Sequence, residues 1–156
     1  MSIRTGDQAA SFSLPAAPGE PIDVGAHIGR DRVVLLFFPL AFSSVCTDEM
    51  CRMRDDWSAW SRLDAKVFGI CIDSPFVTAK FRAELDLPFP ILSDFNREVA
   101  RTYDALHDDL HGLKDVTKRA VFVIDETGQV VYDWVSDDPG AMPDLAAVRE
   151  AVGASL

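Results

Sequence analysis

The apolar positions of this chain fall into a few unbroken runs. Val33-Val34-Leu35-Leu36-Phe37-Phe38 is the first, Val67 to Ile72 the second, Ala120 to Ile124 the third and Val130 to Val135 the fourth. Such short continuous runs mark strands buried on both faces. Asp125-Glu126-Thr127-Gly128 joins the last two and reads as a hairpin turn. Between the first two runs the period changes. Cys46, Met50, Met53, Trp57 and Trp60 recur on one helical face, which predicts a helix over residues 46–64. Weaker helical patterns cover Phe76 to Leu85 and Asn96 to Tyr103. Pro143 to Val152 predicts a C-terminal helix with proline in its first turn. The order implies an α/β protein, a mixed central sheet with helices on both faces. Its first crossover should be right-handed and its first two strands parallel. A thioredoxin-like fold is compatible with this order.

The 156 residues carry no internal repeat, low-complexity tract or linker, so one domain over 1–156 is expected. No apolar run is long enough to span a bilayer, and MSIRTGDQAASF lacks the apolar core of a signal peptide. The expectation is a soluble, cytoplasmic protein. The formal charge of −10 disfavours nucleic acid and anionic membranes as partners. Three cysteines, Cys46, Cys51 and Cys71, make an odd count that argues against a disulfide framework and for thiol chemistry.

The informative stretch runs from the first strand to Cys46. The strand ends at Pro39, a short loop carries Ser43, and Cys46 opens the helix. In α/β sheets ligands bind beyond the carboxyl ends of strands, which is where this order places Cys46. A helix N-terminus offers unpaired N–H groups and the positive end of the macrodipole. Both favour the thiolate, the nucleophilic form of cysteine.

Pro39, Ser43 and Cys46 match the motif Pro-x-x-x-Thr/Ser-x-x-Cys, and the chain thereby resembles the peroxiredoxins. Gly6, Ala9, Phe12 and Leu14 resemble the family's opening pattern. Arg119-Ala120-Val121-Phe122-Val123-Ile124-Asp125 resembles its arginine-bearing strand, and Leu92-Ser93-Asp94 is also familiar. The resemblance covers nearly the whole chain. It implies that Cys46 is the peroxidatic thiolate and that Arg119 stabilises thiolate and peroxide oxygens. Ser43 would hydrogen-bond the peroxide, and Pro39 would shield the site from water. Glu49 also matches a family preference; it either orients Arg119 or is an ordinary first-turn glutamate. No cofactor or metal is implied. The implied partners are a peroxide and a thioredoxin- or glutaredoxin-like reductant.

Cys51 follows Cys46 with four residues between, a spacing similar to the peroxiredoxin Q group, or bacterioferritin comigratory proteins. There the second cysteine resolves the sulfenic acid as an intramolecular disulfide. On an intact helix residues five apart are separated by about 7.5 Å of rise. A disulfide needs Cα atoms within roughly 4.4–6.8 Å, so the first turns would have to unwind. The alternative is a one-cysteine enzyme, since Phe37 to Phe42 looks similar to the AhpE-like group. A thiol–disulfide oxidoreductase on the same fold would carry Cys-x-x-Cys, but Ser43 holds the first position, and no proline precedes the Arg119 strand. A thioredoxin-like binding module would not need Ser43, Cys46 and Arg119 together.

Cys71, inside an apolar run, reads as an inert core residue. His27, His107 and His111 form no metal-ligand pattern with the cysteines; Asp108-Asp109 and Gly112 suggest a polar loop or fraying helix with solvated histidines. Trp57 and Trp60 read as core. Phe42, Phe76 and Phe95 fall in predicted loops, where exposed aromatics could form a homodimer patch. Family members often pair through this region.

Overall fold

The computed structural model describes residues Ser2–Ala154; the two ends of the 1–156 span lie outside the described residues. An N-terminal hairpin, β1 (Ser13–Ala17) and β2 (Glu20–Asp23), leads into β3 (Arg32–Phe37). Two helices follow, α1 (Ser44–Asp55) and α2 (Trp57–Ser61), then β4 (Ala65–Cys71), α3 (Pro75–Leu85) and β5 (Ile91–Ser93). Next come α4 (Glu98–Thr102) and a second hairpin, β6 (Leu106–Leu110) and β7 (Leu113–Thr117). The chain closes with β8 (Arg119–Ile124), β9 (Val130–Ser136) and α5 (Leu145–Ala154).

The central sheet has the order β5-β4-β3-β8-β9. β3, β4 and β5 are parallel, and β8 and β9 are antiparallel to their neighbours, so the sheet is mixed as expected. β3 lies in the middle with every residue buried. Its side chains alternate between faces. Val34, Leu36 and Phe38 join Met50, Met53, Trp60, Phe81 and Val148 on the face covered by α1, α2, α3 and α5. Val33, Leu35 and Phe37 join Phe68, Val99, Tyr103 and Phe122 on the other, covered by α4 and the N-terminal segment. Burying each such side chain contributes about 1.5–3 kcal/mol.

The structure corrects several expectations. The helix over 46–64 is two helices, broken at Asp56, whose φ of −102° and ψ of 15° leave the helical region. After the break Trp60 is fully buried, and Trp57 packs on Phe89 with ring centroids 5.6 Å apart. α5 begins after Pro143: the Asp144 carboxylate accepts from the Ala147 N–H at 3.1 Å and acts as its cap. α4 is shorter than 96–103 because Arg97, at φ 63°, cannot continue a right-handed helix. The polar segment around His107 and His111 is the β6–β7 hairpin. His111 (φ 53°) and Gly112 (φ 89°) form its tight turn, a geometry that matches the twist of the flanking strands. His107 is therefore not solvated. It is buried with no partner on Nε2 among the described residues, and burial, with help from the Lys118 charge, lowers its pKa. His111 is exposed, and His27 contacts Asp31 at 2.8 Å. No helix among the described residues is long and apolar enough to cross a membrane.

Candidate active site

β3 delivers the chain to the carboxyl edge of the sheet, where buried Pro39 follows the strand. The loop that follows is held at several points. The Ala41 N–H donates to the Asp73 carboxylate at 2.8 Å, and the Ser43 hydroxyl donates to the Leu40 carbonyl at 2.9 Å. Phe42 sits at φ 70°, a left-handed conformation uncommon for a bulky residue. An edge-on contact with Phe81, 5.1 Å between centroids, holds its ring. Beyond the loop, the Thr47 N–H donates to the Ser43 carbonyl at 2.9 Å and α1 begins. Ser43 makes no side-chain cap. The N–H groups of Ser44, Val45 and Cys46 thus precede the first intrahelical bond and face the loop as donors.

Cys46 is fully buried on this first turn, and β8 places Arg119 against it. Arg119 Nη2 lies 3.2 Å from Cys46 Sγ. The same Nη2 donates to the Pro139 carbonyl at 3.1 Å, and Nη1 donates to Glu49 Oε1 at 2.7 Å. One guanidinium thus ties together two helical positions one turn apart and the loop after β9. Arg119 is only 1% exposed and Glu49 is fully buried.

The charges in this pocket compete. Burial lifts the Glu49 carboxyl from 4.5 to about 7, against the pull of Arg119. Among the described residues its second oxygen, Oε2, has no hydrogen-bond partner, and neither has Arg119 Nε. For Arg119, burial acts downward, but the charges of Glu49 and of a Cys46 thiolate outweigh it and hold the guanidinium above its ordinary range. Burial thus pushes the carboxyl toward its neutral form, while the guanidinium keeps its charge. The resulting site holds one fixed positive charge against a sulfur at a helix N-terminus. Such a site binds and stabilises an anion formed at that sulfur or on an oxygen beside it.

The sequence brings Cys46, Arg119 and Glu49 into contact, and Ser43 and Pro39 into the loop above them. Cys51 is not joined to Cys46: all three cysteines are free thiols, and Cys51 lies half-buried further along α1. Cys71 is buried in β4, and burial, reinforced by the Asp73 charge, pushes its thiol well above the usual range. Sequence reasoning missed three contributors. The Pro139 carbonyl carries no side-chain signature. Asp73 follows a strand and looks like any turn aspartate. The β6–β7 hairpin packs Leu110 and Val116 onto Ile72 and Leu40, walling the loop; its one legible signal was the His111-Gly112 turn. Among the described residues no group of three or more His, Cys, Asp or Glu is placed to hold a metal.

Comparison with known proteins agrees with this geometry. The model of the AhpC/TSA family matches residues 5–133. A Mycobacterium tuberculosis relative with a provisional peroxiredoxin name is 37% identical over 131 residues, 83% of each chain. Peroxiredoxin Bcp of Bacillus subtilis is 29% identical over 136 residues, 86% of each chain. The crystal structure of peroxidoxin BcpB from Mycobacterium tuberculosis superposes with a TM-score of 0.85 at 30% identity, over 97% of each chain. The thioredoxin-like fold is shared with these structures, and the chain belongs to the AhpC/TSA family of peroxiredoxins, thiol-dependent peroxidases.

Proposed function

We propose that Cys46 is the thiol that attacks the peroxide and that Arg119, Ser43 and the first-turn N–H groups of α1 stabilise the transition state. The observation that carries this reading is the 3.2 Å contact of Arg119 Nη2 with Cys46 Sγ, in a buried pocket at a helix start. The Cys46 thiolate attacks one peroxide oxygen. An S–O bond forms, the O–O bond breaks, and the departing oxygen takes the electron pair and then a proton. Arg119 and the helix N–H groups face the charge that develops on that oxygen. The Ser43 hydroxyl donates to Leu40, so its lone pairs are the part left to accept from a peroxide O–H. Buried Pro39 excludes water behind the sulfur. Glu49 holds the far end of the guanidinium at 2.7 Å and so aims Nη2 at Cys46. The substrates proposed are hydrogen peroxide and organic hydroperoxides.

Cys51 then resolves the Cys46 sulfenic acid as an intramolecular disulfide, which a thioredoxin- or glutaredoxin-like dithiol reduces. The Bcp relatives and the Cys46–Cys51 spacing support this step. A dithiol reductant of this kind supports a cytoplasmic setting, where thiols are kept reduced. Exposed Phe42, Phe76 and Phe95 support pairing into a homodimer beside the site. The test is peptide mass spectrometry after one equivalent of peroxide. A Cys46–Cys51 disulfide is expected. A lasting sulfenic acid at Cys46, with Cys51 still a free thiol, would establish the one-cysteine reading instead.

A further inference from the structure

Ser43 sits on a turn that is weakly closed from within. Leu40-Ala41-Phe42-Ser43 closes through the Ser43 N–H to the Leu40 carbonyl at 3.4 Å, with Phe42 in third position at φ 70°. Turns with a left-handed third residue favour glycine or asparagine there, because a bulky side chain is strained at positive φ. The closing bond is long, and the Ser43 hydroxyl bonds the same Leu40 carbonyl at 2.9 Å. Released from the rest of the fold, Phe42 would return to an ordinary φ, and Ser43, next in the chain, would move with it.

The fold reaches this turn in two ways. Leu40, Ala41 and the Phe42 ring pack on apolar neighbours, contacts that are non-directional. The directional tie is polar: Asp73 Oδ2 accepts the Ala41 N–H at 2.8 Å. An N–H donated to a carboxylate is among the stronger hydrogen bonds. Asp73 is itself held on both sides. β4 ends two residues earlier at Cys71, whose carbonyl accepts the Asp94 N–H at 2.7 Å. Ser93 Oγ of β5 donates to the Asp73 carbonyl at 2.5 Å, and Ser74 caps α3 by accepting the Val77 N–H at 3.4 Å. The carboxylate thus reaches from a fixed corner between β4, β5 and α3 to the loop after β3.

We propose that Asp73 is a positioning residue for peroxide reduction: by accepting the Ala41 N–H it fixes the Leu40–Ser43 turn and sets the Ser43 hydroxyl where it meets the peroxide at Cys46. The inference rests on the reading that Ser43 hydrogen-bonds the peroxide. The effect of Asp73 passes through Ser43. Cys46 is held independently, on the first turn of α1 and by Arg119. Loss of the Asp73 tie therefore bears on the reaction with peroxide and spares the reaction of Cys46 with reagents that do not use Ser43. A small displacement of a group that binds substrate is enough to cost rate, because the reacting atoms must be held in near-attack geometry.

Two measurements on the full reduced chain test this. Stopped-flow oxidation by hydrogen peroxide gives the second-order rate constant. Iodoacetamide alkylation of Cys46, followed by peptide mass spectrometry across pH, reports its thiolate and whether the protein is folded around it. Asp73→Ala should lower the peroxide rate constant about ten-fold, the worth of one ordinary hydrogen bond. Asp73→Asn, whose amide oxygen still accepts, should recover to within about three-fold of wild type. The alkylation profile of both variants should be that of wild type. In a Ser43→Ala protein the further change Asp73→Ala should cost less than about three-fold, since the group it positions is gone. A Ser43→Ala protein as fast as wild type would overturn the role of Ser43 and this inference with it. Four results would overturn this inference alone: a loss below about three-fold for Asp73→Ala with Ser43 present, a loss of that size or more in the Ser43→Ala background, no recovery in Asp73→Asn, or an alkylation profile that shifts along with the peroxide rate.

Discussion

Replacing Glu49 by glutamine tests the electrostatics of the site. The carboxyl is fully buried, and burial lifts it from 4.5 to about 7. A folded-state pKa above the unfolded value means that the folded protein binds this proton more tightly. The associated stability is therefore complete below about 4.5 and is lost as pH rises through 7. A lift from 4.5 to about 7 is worth about 3 kcal/mol in full. Between pH 5 and pH 8 most of that, about 2–3 kcal/mol, is lost in wild type and absent in Glu49→Gln. The amide keeps an oxygen that can accept from Arg119 Nη1, and its own cost in the unpartnered Oε2 position does not depend on pH. The assay is urea unfolding of both proteins at pH 5, 6, 7 and 8, read as the difference in stability. Other titrating groups cancel in that difference where they are distant and independent. The difference should move in favour of Glu49→Gln by about 2–3 kcal/mol as pH rises, a large share of an ordinary folding stability. A difference that stays constant with pH, or moves the other way, would refute the burial argument.

Arg119→Ala should slow peroxide reduction by about 10²–10³, the cost of losing one donor aimed at the developing charge. Arg119→Lys should recover only part, because a single ammonium cannot serve Cys46, Glu49 and Pro139 at once; stopped-flow oxidation of the reduced variants measures both. Cys71→Ala should keep wild-type turnover in a peroxide-consumption assay, since its buried thiol is held well above the usual range and stays protonated. Phe76→Asp puts a charge at the most exposed large apolar side chain among the described residues, 73% exposed, and should shift a dimer to monomer in sedimentation velocity. An unchanged sedimentation coefficient at equal concentration would remove the patch from the interface.

β3, β4, β8 and β9 were legible because each carries a short apolar run, although β9, at the sheet edge, is only half-buried beyond Val130 rather than covered on both faces; the sheet they form accounts for the position of Cys46. The site pair was legible for a different reason: Pro39, Ser43, Cys46 and Arg119 match a pattern in which the distant arginine is expected beside the cysteine. The Pro139 carbonyl was not legible, because any residue could supply it and only the path of the loop decides which does. The break at Asp56 was hidden by a hydrophobic spacing that runs smoothly through it from Met53 to Trp60. The β6–β7 hairpin was hidden by its polar sequence, LHDDL and LKDVT, which has little strand propensity. Its partners supply what the sequence lacks, through Leu110 and Val116 on Ile72 and the bond from Arg97 Nε to the Asp115 carbonyl at 2.9 Å. Buried His107 follows from that hairpin and could not be reached without it.

The central claim is that peroxide reacts first at Cys46. In a Cys51→Ser protein no disulfide can hide that product. Reduced protein is mixed with half an equivalent of hydrogen peroxide, trapped with dimedone and digested for peptide mass spectrometry. The account predicts dimedone on the peptide carrying Cys46 and an unmodified Cys71. Label on Cys71, or none on Cys46 while peroxide is consumed, would contradict it.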